Sequence, residues 1–424
     1  MNREKVKGAV RHPITVLLDY FFIAITILQC NSVFYRAGNH LAKVQILWLI
    51  LTLIIFFRSV IKIFLSKTDI TRLLLFLLLF SLIEVCILGI TYQVTALPKG
   101  TVILYLVAPI MLVTIFFGEI SFENGAYLFI VYKNIMLALA MVSLIFWLLA
   151  MLGVPTTMNT AIQWGGYHQV PGYLGVHYIS QGSTNFLGIN MVRNTGLFVE
   201  APMYSYVLSI GLLILLFVDE RLIKKRKNEI LLLVITILTT TSTTGTIVAL
   251  LAIVYDMLIV KNKAPLILKV IIVTLGMLLV GILVRIILLR KIQGGGAGSV
   301  NIRWNDIQAG FYAWKDHPLI GNGFGNYDSI MAYMDPSRLV MNGNGGFSSG
   351  LMETLAYGGI LAGLFQIVPT FLTLAKSKKL FGLAVISFVL FVVTIVDNVY
   401  IYTMLLSYIW AEIIFKKAGS EKNE

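Results

Sequence analysis

Leu73-Leu-Leu-Phe-Leu-Leu-Leu-Phe-Ser-Leu-Ile-Glu84-Val-Cys86-Ile-Leu-Gly-Ile-Thr-Tyr-Gln-Val-Thr95 is the stretch that decides the architecture. It holds one carboxylate and no lysine or arginine. A helix needs roughly 20 such residues to cross a bilayer. Comparable runs lie at 14–34, 44–65, 101–118, 127–152, 201–218, 229–241, 243–260, 264–290, 351–373, 380–396 and 398–415. None alternates polar and apolar residues, as the strands of a membrane barrel would. The expected fold is therefore all-α: a polytopic transmembrane helical bundle of about twelve spans with two long outer loops. Thr239-Thr-Thr-Ser-Thr-Thr-Gly245 breaks one long run and Asp397-Asn398 divides another.

Composition agrees. The chain has 424 residues, 58% hydrophobic and 12% charged, with a mean hydropathy of +0.87. A soluble domain is about 25% charged, so a soluble enzyme, a coiled coil and a disordered chain are all excluded. The net charge of +13 would suggest nucleic acid in a soluble protein. Here the basic residues sit in short segments between spans, so topology explains them and no nucleic-acid partner is expected. With the N-terminus inside, about two-thirds of the 33 lysines and arginines fall on the inner side, as the positive-inside rule requires. Both ends are then cytoplasmic. The inner segment 119–126 is the acidic exception. The basic lead Met1-Asn-Arg-Glu-Lys-Val-Lys has no cleavage site after it, so the first run is expected to be a retained span. Cys30 and Cys86 both lie in apolar runs, which gives no disulfide framework.

The organisation follows: spans one to five in 1–152, a long outer loop at 153–200, spans six to nine in 201–290, a second outer loop at 291–350, and three spans with a cytoplasmic tail in 351–424. Loops this long are usually functional or disordered. These two are rich in aromatics, including Trp164, Tyr173 and Phe198 in the first and Trp304, Tyr312 and Phe324 in the second. Trp304, Ile307, Phe311 and Trp314 recur at helical spacing. They predict an amphipathic helix on the membrane surface, with Arg303 and Asp306 on its other face.

Ionisable residues mark the outer boundary. Arg193-Asn-Thr-Gly196-Leu-Phe198-Val-Glu200-Ala-Pro202 runs directly into span six. Arg285 and Arg290 end span nine, and Arg303 begins the surface helix. Outer arginines run against the positive-inside bias. Their forked, permanent charge suits a phosphate or diphosphate. The alternatives are an Arg193–Glu200 ion pair and arginines that snorkel to lipid headgroups. Glu200, Asp306, Asp316 and His317 are the candidate bases, although Asp306 could instead pair with Arg303 on the same helix. Asp19 and Glu84 lie within spans, where carboxylates serve as proton sites or packing contacts. His168 and His177 have no cluster of further ligands, so no metal site is expected. There is no Asp-x-Asp, and the outer segment 35–43 has no acidic residue. Both facts speak against a metal-dependent transferase using lipid-monophosphate sugars. Gly321-Asn-Gly-Phe-Gly325 lacks the strand–helix context of a dinucleotide site.

Four motifs in order resemble the O-antigen ligase/polymerase superfamily: Arg193-x-x-Gly196-x-Phe198-x-Glu200, Ser242-Thr-Thr-Gly245, Arg303-Trp304 followed by His317-Pro-Leu-Ile-Gly321-Asn-Gly323-Phe-Gly325, and Gly345-Gly-Phe-Ser-Ser-Gly-Leu351 with Tyr357-Gly-Gly359. The resemblance covers roughly 190–365; the first five spans match only in hydropathy. Ligases of the family usually carry a His-Asn pair near the place of Ser348-Ser349, and this chain has no histidine after His317. That departure favours a repeat-unit polymerase. The resemblance implies a polyprenyl-diphosphate-linked oligosaccharide as substrate, inverting transfer without metal or other cofactor, and a bacterial cytoplasmic membrane. It also implies a flippase and a chain-length regulator as partners besides membrane lipid. In this reading Arg193, Arg285, Arg290 and Arg303 bind the diphosphate. Glu200 is the first choice of base and Asp306 the second, and Trp304 and Tyr312 stack on sugars. The alternatives are a ligase and a lipid-linked oligosaccharide flippase.

Overall fold

The computed structural model describes residues 12–66, 68–94, 99–122, 125–164, 166–186, 189–221, 223–260, 297–340, 346–394 and 399–415. Its helices are α1 Pro13–Leu28, α2 Val33–Arg36, α3 His40–Ser66, α4 Thr71–Val94, α5 Lys99–Phe122, α6 Tyr127–Met151, α7 Ala201–Val218, α8 Ile223–Thr239, α9 Thr243–Val260, α10 Ala297–Asp316, α11 Tyr327–Met331, α12 Gly350–Leu372, α13 Lys378–Val393 and α14 Tyr400–Ile414. Every expected span except 264–290 overlaps a helix. That span, with Arg285 and Arg290, lies outside the described residues.

Among the described residues, seven helices are long and apolar enough to cross a membrane: α3 to α7, α9 and the stretch Gly350–Ala375. Helices α1 and α14 are apolar but shorter. The protein is thus a multi-span helical membrane protein. The all-α expectation needs correction in 153–200. Strands β1 Met158–Gln163, β2 Tyr167–Tyr173 and β3 His177–Tyr178 form an antiparallel sheet in that order, and β4 Ser183–Phe186 pairs with β5 Ile189–Val192. Away from the hydrocarbon, backbone groups need not bond within one helix, so a sheet is allowed there.

The chain divides into two compact units. The first comprises Met1–Ile55, Glu123–Leu288 and Lys378–Ile386. Its centre is α7, 89% buried, packed by α6, α8 and α9. The break between α8 and α9 has a steric cause. Thr241 takes a positive φ of 55°, and Ser242 caps α9 by accepting from Gly245 N at 3.3 Å. A Cβ at Gly245 would collide with Ser205 Oγ of α7, so this close crossing requires glycine. His177 is buried between Phe146 and Tyr173, and burial pushes its pKa down to about 4. It is a neutral core histidine.

The second unit comprises Phe56–Phe122, Leu289–Ser377 and Ser387–Glu424. Helix α5 packs along α14, and α10 lies on α12. Glu119, fully buried, accepts from Lys62 Nζ at 2.9 Å and from Arg58 Nη2 at 3.3 Å. The acidic character of 119–126 is in this way met by basic residues at the end of α3. Helix α12 is broken at Gly359, whose φ of 62° and ψ of −163° are closed to other residues. The loop after α10 fills that break. Ile360 N donates to Pro318 O at 2.9 Å, Asn322 N to Ala356 O at 2.9 Å and Gly323 N to Tyr357 O at 2.8 Å. Phe324 is buried and stacks on Tyr105 with ring centroids 4.0 Å apart. Gly321 and Gly359 therefore serve a backbone-to-backbone dock, since a Cβ at either would strike the opposing backbone.

Candidate functional site

In the first unit the Arg193-to-Pro202 segment is fixed along its whole length. Asn194 N donates to Thr239 O at 3.0 Å, and its side-chain amide donates to Thr239 Oγ1 at 3.0 Å. Thr195 Oγ1 donates to Tyr178 O at 2.6 Å. Phe198, fully buried, stacks on Tyr204 at 5.4 Å. Residues 197–199 bond to the segment before α2: Val33 N donates to Leu197 O at 2.8 Å and Val199 N to Asn31 O at 3.0 Å. The two ends of this frame hold Arg193 and Glu200.

Arg193 is half-buried and anchored through one nitrogen. Its Nε donates to Thr241 Oγ1 at 2.9 Å and, more weakly, to Thr240 O at 3.4 Å. Both terminal nitrogens are without a hydrogen-bond partner among the described residues. Burial pushes the guanidinium pKa down from its ordinary value, and the charge of Glu200 opposes this. No Arg193–Glu200 ion pair forms within 4 Å among the described residues. Glu200 instead accepts from Trp164 Nε1 at 2.7 Å. On the Trp164 ring lies Arg36, its guanidinium carbon 4.7 Å from the centroid. Arg36 Nε and Nη2 donate to Asn31 Oδ1 at 3.0 and 2.5 Å. This gives two partly desolvated cations and one carboxylate in a single frame. Such groups bind an anion more strongly than exposed ones, because water screens them less.

Arg36 and Asn31 were not singled out from the sequence. The signal was an arginine in the short segment before α3.

In the second unit the helix expected from Trp304, Ile307, Phe311 and Trp314 is present as α10, and it packs through the side that carries Asp306. Asp306, Ala309 and Ala313 are fully buried. Small residues at these positions let α12 approach closely, so the aromatic side is left outward, with Trp304 62% exposed. Of the two residues expected opposite the aromatics, Asp306 is buried and Arg303 is exposed. Arg303 is exposed and donates through Nη1 to Val393 O at 3.2 Å. The Asp306 carboxylate is paired with Arg338 Nη1 at 2.7 Å and accepts from Ser348 Oγ at 2.5 Å. Arg338 also donates to Asn305 Oδ1 at 2.7 Å and Gly346 O at 2.6 Å. Arg338 is thus an ion-pair partner of Asp306, and the charge of Asp306 also acts on Arg303. Tyr312 is exposed, 5.9 Å from the Tyr333 ring. Asp316 accepts from Tyr333 Oη at 2.9 Å, and His317 Nδ1 lies 2.7 Å from Asn322 Oδ1. Ser349 donates to Val392 O at 2.7 Å and caps α12.

Residues 230–367 match the family model described as O-antigen ligase. The matched stretch spans the α8–α9 break, α10, the 317–325 dock and the Gly359 break; Arg193 and Glu200 precede it. No curated protein matches the chain.

Proposed function

From a chain whose residues 230–367 carry the signature of the O-antigen ligase/polymerase superfamily, we propose a polysaccharide polymerase. It joins polyprenyl-diphosphate-linked oligosaccharide repeats at the outer face of a bacterial cytoplasmic membrane, with both termini inside. The observation that carries this reading is Arg193. Its Nε is pinned to Thr241, and its two terminal nitrogens have no partner among the described residues. This geometry suits two parallel bonds to a phosphate.

In the proposed reaction an acceptor sugar hydroxyl attacks the anomeric carbon of the donor glycan. The new glycosidic C–O bond forms as the C–O bond to the diphosphate breaks, with inversion. The hydroxyl proton passes to Glu200, whose carboxylate Trp164 orients. The electron pair leaves with the diphosphate. Arg193 stabilises that charge more in the transition state than in the ground state. Arg303, Arg285 and Arg290 are proposed diphosphate ligands in their own right, and Trp304 and Tyr312 proposed sugar platforms. The pairing of Asp306 with Arg338 and Ser348 supports Glu200 over Asp306 as base. The bonds of Ser348 and Ser349 support a polymerase over a ligase, since hydroxyls with structural partners replace the expected imidazole.

The test is purified protein in nanodiscs with synthetic polyprenyl-diphosphate-linked repeats. A glycan ladder on gels is expected. A single transfer to a different acceptor would indicate the ligase. Lipid-linked oligosaccharide crossing proteoliposomes without covalent product would indicate the flippase.

A further inference from the structure

The second unit has a small pocket of about 20 Å³ between α4, α5, α12 and α14, with Phe324 of the docked loop in its wall. Space of this size admits one water-sized particle. Its lining residues with polar side-chain atoms are Glu84, Tyr105, Thr354, Gln366 and Thr403, with no lysine, arginine or histidine. Glu84 is 4% exposed and Thr354 3%. Glu84 Oε2, Thr354 Oγ1 and Gln366 Oε1 are all buried without a hydrogen-bond partner among the described residues. Three unpartnered oxygens, on residues of two helices, thus belong to side chains that line one space.

An ionised carboxylate in such surroundings is expensive unless a positive charge meets it. A proton on Glu84 would cancel its charge and let it donate to one neighbouring oxygen, whereas one cation can cancel the charge and meet several oxygens at once. Divalent ions fit poorly: calcium takes six to eight oxygens, and magnesium keeps several of its waters. We propose that this cavity is a sodium-ion site, with Glu84, Thr354 and Gln366 as ligands. Since Phe324 forms part of its wall, an occupied site would also steady the seat of the 317–325 loop.

The experiment uses the full chain in detergent at constant ionic strength, with sodium chloride replacing choline chloride. Thermal unfolding is followed by intrinsic fluorescence and binding by radioactive sodium. Saturable binding of one ion is expected, with a rise in Tm of about 2–5 °C. Glu84→Gln should abolish both effects, and Thr354→Val should weaken binding about tenfold or more. Should Glu84→Gln fail to fold, the wild-type titration and Thr354→Val still decide. Equal Tm in sodium and choline with no bound sodium would overturn the proposal and leave a protonated Glu84. So would sodium stabilisation that persists in Glu84→Gln.

Discussion

Arg193→Ala is the sharpest test of the anion-binding role. The side chain is held by its Nε to Thr241, so the two terminal nitrogens are already oriented. Each charge-assisted hydrogen bond to a phosphate oxygen contributes about 1.5–3 kcal/mol. Losing two therefore costs about 3–6 kcal/mol of transition-state stabilisation, and at about 1.4 kcal/mol per decade kcat/KM should fall roughly 10²–10⁴-fold. Arg193→Lys keeps the charge but not the fork, and should recover about half of that loss on a logarithmic scale. Thr241→Val frees the guanidinium without removing it and should cost only about fivefold, near 1 kcal/mol. The assay is the initial rate of bond formation with a lipid-diphosphate-linked repeat, with thermal unfolding run in parallel. A folded Arg193→Ala within about threefold of wild type in kcat/KM would refute the reasoning.

Three further outcomes follow from the structure. His177 is buried neutral with its pKa near 4 against an ordinary 6.5, so the unfolded chain binds the extra proton between those values. Stability should therefore be full above about pH 6.5 and fall by up to about 3 kcal/mol as the pH drops to 4; denaturation midpoints should show this slope, and His177→Phe should flatten it. Gly245→Ala forces a methyl against Ser205, and the resulting overpacking should cost about 1–3 kcal/mol, read as a lower Tm; Ser205→Gly in the same chain should restore it. Asp306→Asn breaks the buried pair with Arg338 and should destabilise by about 3–5 kcal/mol, whereas Asp306→Leu with Arg338→Met should recover most of that stability, as unfolding of the purified variants would show.

The membrane helices were legible because bilayer thickness imposes one length on each run. Leu73–Thr95 could hardly be anything else, and α4 occupies Thr71–Val94. The sheet in 153–200 was not anticipated, because the hydropathy of Met158–Gln163 is too low to stand out. The signal was local: Gly165-Gly166 between two short strand-forming stretches. Helix α10 was legible as a helix with an outward aromatic side, but the residues of its packed side were not. Aromatic spacing marked the outward side, while close approach to α12 uses the small residues at 309 and 313. The glycine motifs drew notice as motifs, while their reason, a loop completing a broken helix, needed the pairing of residues some 40 apart. Arg36 and Arg338 escaped for the same cause. Each acts through a partner distant in sequence, Trp164 and Asp306 respectively.

The most direct test of the polymerase account is product stoichiometry with stereochemistry. Purified protein is given a lipid-linked repeat of known anomeric configuration. Mass spectrometry counts the released lipid, and nuclear magnetic resonance reads the new linkage. The account predicts one free polyprenyl diphosphate for each glycosidic bond, with the anomeric configuration inverted. Release of polyprenyl monophosphate, or retention of configuration, would contradict it.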